Sequence, residues 1–216
     1  MRRIGILGGT FNPPHLGHLA VARHARAQLG LERVMLMPAG SPLHKPAAVD
    51  PGPQQRLEMC RLAVQGEEGL STCALEVERG GPSYTVDTLR AIHASYPDAE
   101  LTFIVGADTA ATLDSWREPA ELLGLARLAV ASRSGSDRDR VLDTVAGLAG
   151  PQADERERLA LSSRVGFLAM DTIEVSSSGV RGRAAGSEPL DGLVDPGVAR
   201  YIAEHELYRG ASEVLG

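Results

Sequence analysis

The sequence predicts an α/β fold in which a mainly parallel, doubly wound sheet carries helices on both faces. Short apolar runs that suit buried strands alternate about six times with the residue spacing of amphipathic helices. Strands joined through helices form right-handed crossovers, and these give parallel sheets that are covered on both sides. The chain has 216 residues, 43% of them hydrophobic, which is enough for one well-buried domain.

The predicted elements follow one another with short turns between most of them. Strands are predicted at residues 3–7, 33–37, 71–77, 101–106, 125–131 and 165–170. Helices are predicted at 16–29, 54–64, 83–95, 137–148, 152–161, 176–185 and 196–206, with Ser83 as the N-cap of the third. This arrangement is Rossmann-like, so ligands are expected where the strands end, at residues 8–18, 38–46, 106–117, 132–134 and 171–178.

Composition and charge exclude several classes of protein. The sequence has no run of about 18 apolar residues to cross a membrane, and its apolar start is too short for a signal peptide. A cytoplasmic protein is therefore expected. The formal net charge of -6 is unfavourable for holding long nucleic acid. The two cysteines, Cys60 and Cys73, supply neither a disulfide framework nor a metal knuckle.

The loop after the first predicted strand has the features of an anion site. Gly8 and Gly9 allow the backbone to turn sharply and to approach a ligand. A helix then begins near Leu16, and the N–H groups of a first helical turn are unpaired and carry a partial positive charge. His15 and His18 share one face of that turn, where they can donate hydrogen bonds to phosphate oxygens and stabilise developing charge.

Other interpretations of this loop are weaker. Two histidines three residues apart could ligate a metal, but no third ligand with suitable spacing is visible, so no protein-bound metal is expected. The glycines match neither the Gly-x-Gly-x-x-Gly fingerprint of dinucleotide-binding proteins nor the Walker loop. A dehydrogenase is therefore disfavoured.

Two motifs carry a resemblance to a known superfamily. Residues 9–18, Gly-Thr-Phe-Asn-Pro-Pro-His-Leu-Gly-His, resemble the Gly-x-Phe-x-Pro-x-His-x-Gly-His signature of the nucleotidyltransferase superfamily. Residues 175–181, Val-Ser-Ser-Ser-Gly-Val-Arg, resemble its second element, Ile-Ser-Ser-Thr-x-Ile-Arg. The serines offer hydroxyls at a helix start, and Arg181 can clamp phosphate oxygens one turn later. ATP is thus expected to be bound by Gly8, Gly9, Thr10, Phe11, His15, His18, Ser176, Ser177, Ser178 and Arg181.

A lysine on a long proline-rich segment completes the expected catalytic set. Lys45 is the only lysine among 22 lysines and arginines, and a compact ammonium on such a loop could close over a bound triphosphate. Together with His15, His18 and Arg181, it would stabilise charge while an acceptor phosphate attacks the α-phosphorus in line and pyrophosphate leaves. Mg²⁺ is expected on the triphosphate, held mainly by phosphate oxygens and water.

Over roughly residues 3–209 the chain is similar to the bacterial nicotinate-mononucleotide adenylyltransferase family of NAD synthesis. The similarity includes residues 43–45, 81–89, 103–108, 131–133 and 201–209. It implies a single nucleotidyltransferase domain over residues 1–216, with a C-terminal helical part at about 176–209 that carries the second motif. The implied reaction transfers AMP from ATP to nicotinate mononucleotide and releases pyrophosphate.

The same resemblance implies where the acceptor binds. The only tryptophan, Trp116, could stack on a pyridine ring. The backbone N–H groups of Tyr84 and Thr85, at a predicted helix start, could bind the nicotinate carboxylate, and an amide NH₂ could not accept from them. Arg117 stands where an aromatic residue is expected in many relatives, so its role is open.

Three further residues are assigned to the nucleotide by resemblance. Gly106 and Asp108 would form the turn that contacts it, with Asp108 near a ribose hydroxyl, and Arg133 would lie near the adenine. Asp108 could also serve as a helix N-cap.

The alternatives that stay open concern the acceptor and turnover. Another enzyme of the superfamily, of the phosphopantetheine or glycerol-phosphate type, would share the triphosphate site. A nucleotide-binding regulator would keep the site without turnover. Association into a homo-oligomer is possible and not decided by the sequence.

Overall fold

The computed structural model describes residues 2–41, 49–132, 135–170 and 174–209. Six strands form one sheet: β1 Arg2–Gly9, β2 Arg33–Pro38, β3 Leu70–Thr72, β4 Ala99–Gly106, β5 Ala126–Ala131 and β6 Val165–Leu168. Their order is β3-β2-β1-β4-β5-β6. The pairs β1–β4, β4–β5 and β5–β6 are parallel, with Ile6 opposite Phe103 and Val130 opposite Phe167. The predicted α/β fold with a mainly parallel sheet is confirmed.

The strand order reverses at β1. The chain passes from β1 outward to β2 and β3, and then returns to place β4 on the other side of β1. Because all neighbouring strands of β4 are parallel to it, Gly8 of β1 and Gly106 of β4 both lie at carboxyl ends of adjacent strands. Such a switch point is where ligands bind in doubly wound sheets.

Ten helices occur in the described part of the chain. They are α1 Leu16–Leu29, α2 Pro53–Ala63, α3 Leu75–Arg79, α4 Thr85–Ser95, α5 Ala107–Ala110, α6 Pro119–Leu125, α7 Gly135–Gly147, α8 Glu155–Ser162, α9 Ser177–Ala185 and α10 Pro196–Glu204. A 3-10 turn covers Leu113–Ser115. No helix within these described ranges has the length and apolar composition needed to cross a membrane.

Two predictions about the segment after α2 are wrong. The strand expected at 71–77 ends at Thr72, where Cys73 N–H donates to Leu36 O at 2.9 Å, and α3 begins at Leu75. The alternating residues of such a short run do not distinguish a strand from one helical turn. Ser83 is not the N-cap of α4, since Tyr84 occupies that position.

The described chain divides into two compact units. The first unit comprises residues 1–8, 23–35 and 84–172, and apolar residues of β1, β4, β5 and α7 fill its core. The second unit comprises residues 9–22, 36–83 and 173–216, and its core is built from the apolar faces of α2, α9 and α10. The expectation of a single domain over residues 1–216 stays a prediction.

Replacing Gly40 by alanine is expected to destabilise the protein. A Cβ at position 40 would collide with the backbone oxygen of Glu76, which cannot move as a flexible side chain would. Overpacking of this kind costs about 1–3 kcal/mol, or several degrees of melting temperature in a chain of this size. Gly124→Ala is the matched control because a Cβ there meets nothing within 4 Å inside α6. Thermal unfolding should show a lower midpoint for Gly40→Ala alone; equal midpoints would contradict the packing argument.

Candidate functional site

The loop that follows β1 is packed tightly rather than turned sharply. Neither Gly8 nor Gly9 has a positive φ, so the expected glycine turn is wrong, and β1 continues through both residues. They are needed for close approach instead: a Cβ would lie 2.7 Å from the Phe103 ring at position 8 and 3.1 Å from the Phe11 ring at position 9. Phe11 itself takes the left-handed conformation, with φ 51°, and its buried ring lies edge-on to His18 at 4.9 Å.

The two histidines form a stacked pair at the start of α1. Their ring centroids are 3.7 Å apart, His15 is buried, and His18 lies in the first helical turn. The backbone N–H of His15 donates to Nδ1 of His18 at 3.1 Å. Since that nitrogen is an acceptor, the proton of a neutral His18 ring resides on Nε2.

Burial, and then the neighbouring His15, hold the pKa of His18 well below its ordinary value. His18 is therefore neutral near pH 7 in the free protein, and its Nε2–H is a hydrogen-bond donor. A neutral imidazole of this kind can donate a hydrogen bond to a phosphoryl oxygen as negative charge grows there.

The first turn of α1 is not the open row of N–H groups expected from the sequence. Leu16 N–H donates to Leu193 O at 2.9 Å, and the N–H groups of His18 and Leu19 donate to His15 O at 2.9 and 3.3 Å. These N–H groups already have acceptors, the carbonyl oxygens of Leu193 and His15.

The second motif begins a helix as predicted and touches the β1 loop. Ser176 is the N-cap of α9, and its Oγ accepts from Gly179 N–H at 3.1 Å. Ser177 Oγ donates to Pro13 O at 2.9 Å. The hydroxyl of Ser178 lies 3.1 Å from that of Ser176. Arg181 lies one turn later.

Arg181 is joined to the same loop through Asn12. Its Nη1 donates to the backbone oxygen of Asn12 at 2.9 Å. The two motifs, 164 residues apart at Pro13 and Ser177 and 169 apart at Asn12 and Arg181, are thus brought together within the second unit. The loop joined to these serines and to Arg181 also carries the two imidazoles, and hydroxyl, imidazole and guanidinium groups form a set that suits phosphate oxygens.

Sequence reasoning missed the residues that support this loop. Asn12 is buried; its Nδ2 donates to Val49 O at 2.8 Å, and its Oδ1 accepts from the Tyr208 hydroxyl at 2.8 Å. Tyr208 is itself buried, and burial raises the pKa of its hydroxyl. Asn12 was inside the recognised motif, but its position there was a variable one.

Sequence reasoning also missed Arg56 on α2, a residue with no exposed surface. Its Nη1 donates to Thr10 O at 2.9 Å and to Ala39 O at 2.7 Å, its Nη2 to Gly40 O at 3.1 Å, and its Nε to Asp50 Oδ1 at 3.0 Å. A usable signal existed. Arg56 lies four residues before the buried Cys60, and residues with that spacing share one face of a helix.

The expected acceptor residues lie in the first unit. Tyr84 is the N-cap of α4 and Thr85 its first residue, so their N–H groups belong to a helix start as predicted. The Trp116 ring is half-buried, lies edge-on to Phe103 at 6.1 Å, and donates from Nε1 to Thr112 Oγ1 at 3.3 Å. Trp116 follows a 3-10 turn and does not directly follow a strand.

Arg117 belongs to a charged cluster at the start of α4. Its guanidinium lies 4.9 Å from the centre of the Tyr84 ring. It donates to Asp87 at 3.1 Å and to Glu118 at 3.3 Å. Arg90 also binds Asp87 and Glu118, and it binds Glu121 of α6. A guanidinium over Tyr84 takes the place of the aromatic side chain expected at position 117.

The remaining predicted residues are partly accounted for. Gly106 ends β4 and is the N-cap of α5, so the alternative role of Asp108 as N-cap is wrong; Asp108 is exposed in the first turn of that short helix. Lys45 and Arg133 lie outside the described residues. Among the residues that are described, no three His, Cys, Asp or Glu side chains are grouped so as to hold a metal ion.

Comparisons with known proteins identify a family and relatives of this chain. The Cytidylyltransferase-like family model matches residues 6–183. A protein of Bordetella petrii is 43% identical over 97% of this chain and 100% of its own, and one of Chromobacterium violaceum is 39% identical over 96% and 99%. Both carry the name "Probable nicotinate-nucleotide adenylyltransferase". A Plasmodium falciparum nicotinic acid mononucleotide adenylyltransferase complexed with NaAD superposes with a TM-score of 0.71 at 16% identity, covering 96% of this chain and 98% of that one.

His18 is expected to stay neutral at pH values where a free histidine is half protonated, about pH 6.5. Histidine ¹⁵N chemical shifts should show an unprotonated Nδ1 and a protonated Nε2 on this ring at pH 6.5 in the free protein. Because the unfolded chain binds a proton that the folded chain rejects, His18 lowers stability progressively as the pH falls below about 6.5. His18→Gln should therefore flatten the pH dependence of the melting temperature in that range. An imidazolium spectrum at pH 6.5 would contradict the assignment.

Proposed function

The chain belongs to the Cytidylyltransferase-like family, with nicotinate-nucleotide adenylyltransferases as relatives, and we propose that it transfers AMP from ATP to nicotinate mononucleotide. The products are deamido-NAD and pyrophosphate. The proposal takes the reaction to be cytoplasmic, with small-molecule substrates and no nucleic acid.

One observation carries the proposal: the two motifs meet at the β1 loop. The stacked histidines, the serine hydroxyls at the start of α9 and the Arg181 guanidinium all belong to one compact unit. The His18 imidazole and the hydroxyl donors are neutral, and Arg181 adds a positive charge to the set. A triphosphate has enough oxygens to accept from several of these donors at once, which favours a nucleoside triphosphate over a single phosphate.

The acceptor is supported by the first unit and by the relatives' names. The start of α4 offers the N–H groups of Tyr84 and Thr85, which suit a carboxylate, and Trp116 offers an aromatic face for a flat ring. A nicotinate ring carries both features. The names of the Bordetella and Chromobacterium relatives specify this acceptor.

The proposed reaction needs no covalent intermediate with the enzyme. A phosphate oxygen of the acceptor attacks the α-phosphorus of ATP, and the bond from that phosphorus to the β-phosphate oxygen breaks. Pyrophosphate leaves with the electron pair. His15, His18 and Arg181 donate hydrogen bonds as negative charge shifts toward the leaving group, and Lys45 is assigned the same task.

Mg²⁺ is assigned to the phosphates and to water in this proposal, and it would neutralise part of the triphosphate charge. No protein ligand is assigned to it. Gly106, Asp108 and Arg133 are assigned to the nucleoside part of ATP, with Asp108 near a ribose hydroxyl and Arg133 near the adenine.

The proposal is tested by pyrophosphate release with ATP and Mg²⁺. Nicotinate mononucleotide should support turnover, nicotinamide mononucleotide should support less, and 4′-phosphopantetheine and glycerol 3-phosphate should support none. His18→Ala should lower turnover by about 10²-fold or more. ATP binding without turnover on any acceptor would favour a regulator. Turnover only with 4′-phosphopantetheine, or only with glycerol 3-phosphate, would make the chain an enzyme that uses that acceptor.

Trp116→Ala is expected to weaken the acceptor selectively. The substitution removes the aromatic face, so the KM for nicotinate mononucleotide should rise by about tenfold while the KM for ATP changes little. Steady-state kinetics with each substrate varied in turn provides the measurement. Equal increases for both substrates would mean that Trp116 only supports the fold around Phe103.

A further inference from the structure

Asn12 lies where four segments of the second unit meet. Its side chain contacts Val49 and Tyr208, and its backbone oxygen contacts Arg181. We propose that Asn12 is a positioning residue that holds Arg181 at the triphosphate, and that the Tyr208 hydroxyl acts through Asn12. This inference rests on the proposed function, since it assigns the triphosphate to this loop.

Both ends of the Asn12 amide are committed, which fixes its orientation. Nδ2 donates to Val49 O and Oδ1 accepts from the Tyr208 hydroxyl, each at 2.8 Å. If the amide were flipped, Oδ1 would face the Val49 oxygen, which is also an acceptor, and Nδ2 would face the Tyr208 hydroxyl. With the residue only 3% exposed, water cannot readily replace either bond.

The same side-chain bonds hold the residue whose backbone carbonyl binds Arg181. That oxygen accepts from Arg181 Nη1 at 2.9 Å, a bond that uses one of the five N–H donors of the guanidinium. Together with the covalent link through Nε, that bond restricts the plane of the rigid, flat guanidinium. A phosphate clamp depends on that plane, since bidentate bonds require both donors to face the oxygens.

The segment that follows α10 positions the Tyr208 hydroxyl. Leu207 N–H donates to Ile202 O at 3.0 Å, and Tyr208 follows in the left-handed conformation with φ 69°. Tyr208 is 4% exposed. Removing the hydroxyl leaves Asn12 Oδ1 buried without this donor, so Asn12 loses one of the two bonds that hold its side chain. A shift of about 1 Å at a positioning group can cost about 10²-fold in rate.

The test is a double-mutant cycle on nucleotide binding. Tyr208→Phe removes one oxygen, and Tyr201→Phe is the matched control on the neighbouring helix, where the ring packs against His205 at 4.1 Å. Affinity for a non-hydrolysable ATP analogue is measured by calorimetry in the Arg181 and Arg181→Ala backgrounds. Tyr208→Phe should raise Kd about tenfold with Arg181 present and have no effect without it. Tyr201→Phe should have no effect in either background.

Steady-state kinetics and a substitute variant separate positioning from folding. The KM for nicotinate mononucleotide should be unchanged in Tyr208→Phe while turnover falls, because only the triphosphate is misaligned. If Tyr208→Phe melts too low to assay, Asn12→Ala takes its place in the same cycle. Equal losses of affinity in both Arg181 backgrounds would overturn the proposal. Failure of the wild-type chain to release pyrophosphate would overturn the proposed function, and the calorimetric cycle would still decide the role of Asn12.

Discussion

The buried guanidinium of Arg56 is the interaction on which the loops of the second unit depend. Four of its N–H bonds are used, three on the backbone oxygens of Thr10, Ala39 and Gly40 and one on Asp50. A buried cation without partners would be far too costly, so the loops can close over α2 only in the geometry that satisfies it. Arg56 of α2 thereby holds the loops after β1 and β2 together. The histidines, Asn12 and the contacts to α9 are built on that arrangement.

The candidate triphosphate site combines a modest positive charge with many neutral donors. His18 is kept neutral by burial and by His15, and the serines of α9 are hydroxyl donors. A chain with a formal net charge of -6 can therefore bind an anion locally without a basic surface. The arrival of negative charge favours the protonated form of an imidazole, which strengthens the donors when the ligand is present. This arrangement avoids burying several uncompensated cations in the free protein.

Some elements could be predicted from the sequence and others could not. Most strands of the sheet and the N-cap of α9 at Ser176 follow from local patterns, and both agree with the structure. The strand predicted at 71–77 does not agree with the structure, because Leu75 and Val77 lie in the short helix α3. So short an alternation of apolar residues does not distinguish a strand from a helical turn. Ser83 has the chemistry of a cap, yet its Oγ accepts from Gly40 N–H at 2.9 Å. In the first turn of α1, a carbonyl at Leu193 satisfies an N–H that local rules leave open.

By itself, the sequence determined the α/β fold class, the two motifs and the resemblance to one family of enzymes. These properties are written in residue spacing or in short contiguous motifs, so each can be recognised without knowing what packs against it. Only the tertiary structure decided that Arg56, Asn12 and Tyr208 support the site. Their partners lie 46, 37 and 196 residues away, at Thr10, Val49 and Asn12. A hydrogen bond between distant residues leaves no periodicity in the sequence, and it becomes visible only when the chain has folded and buried both of its ends.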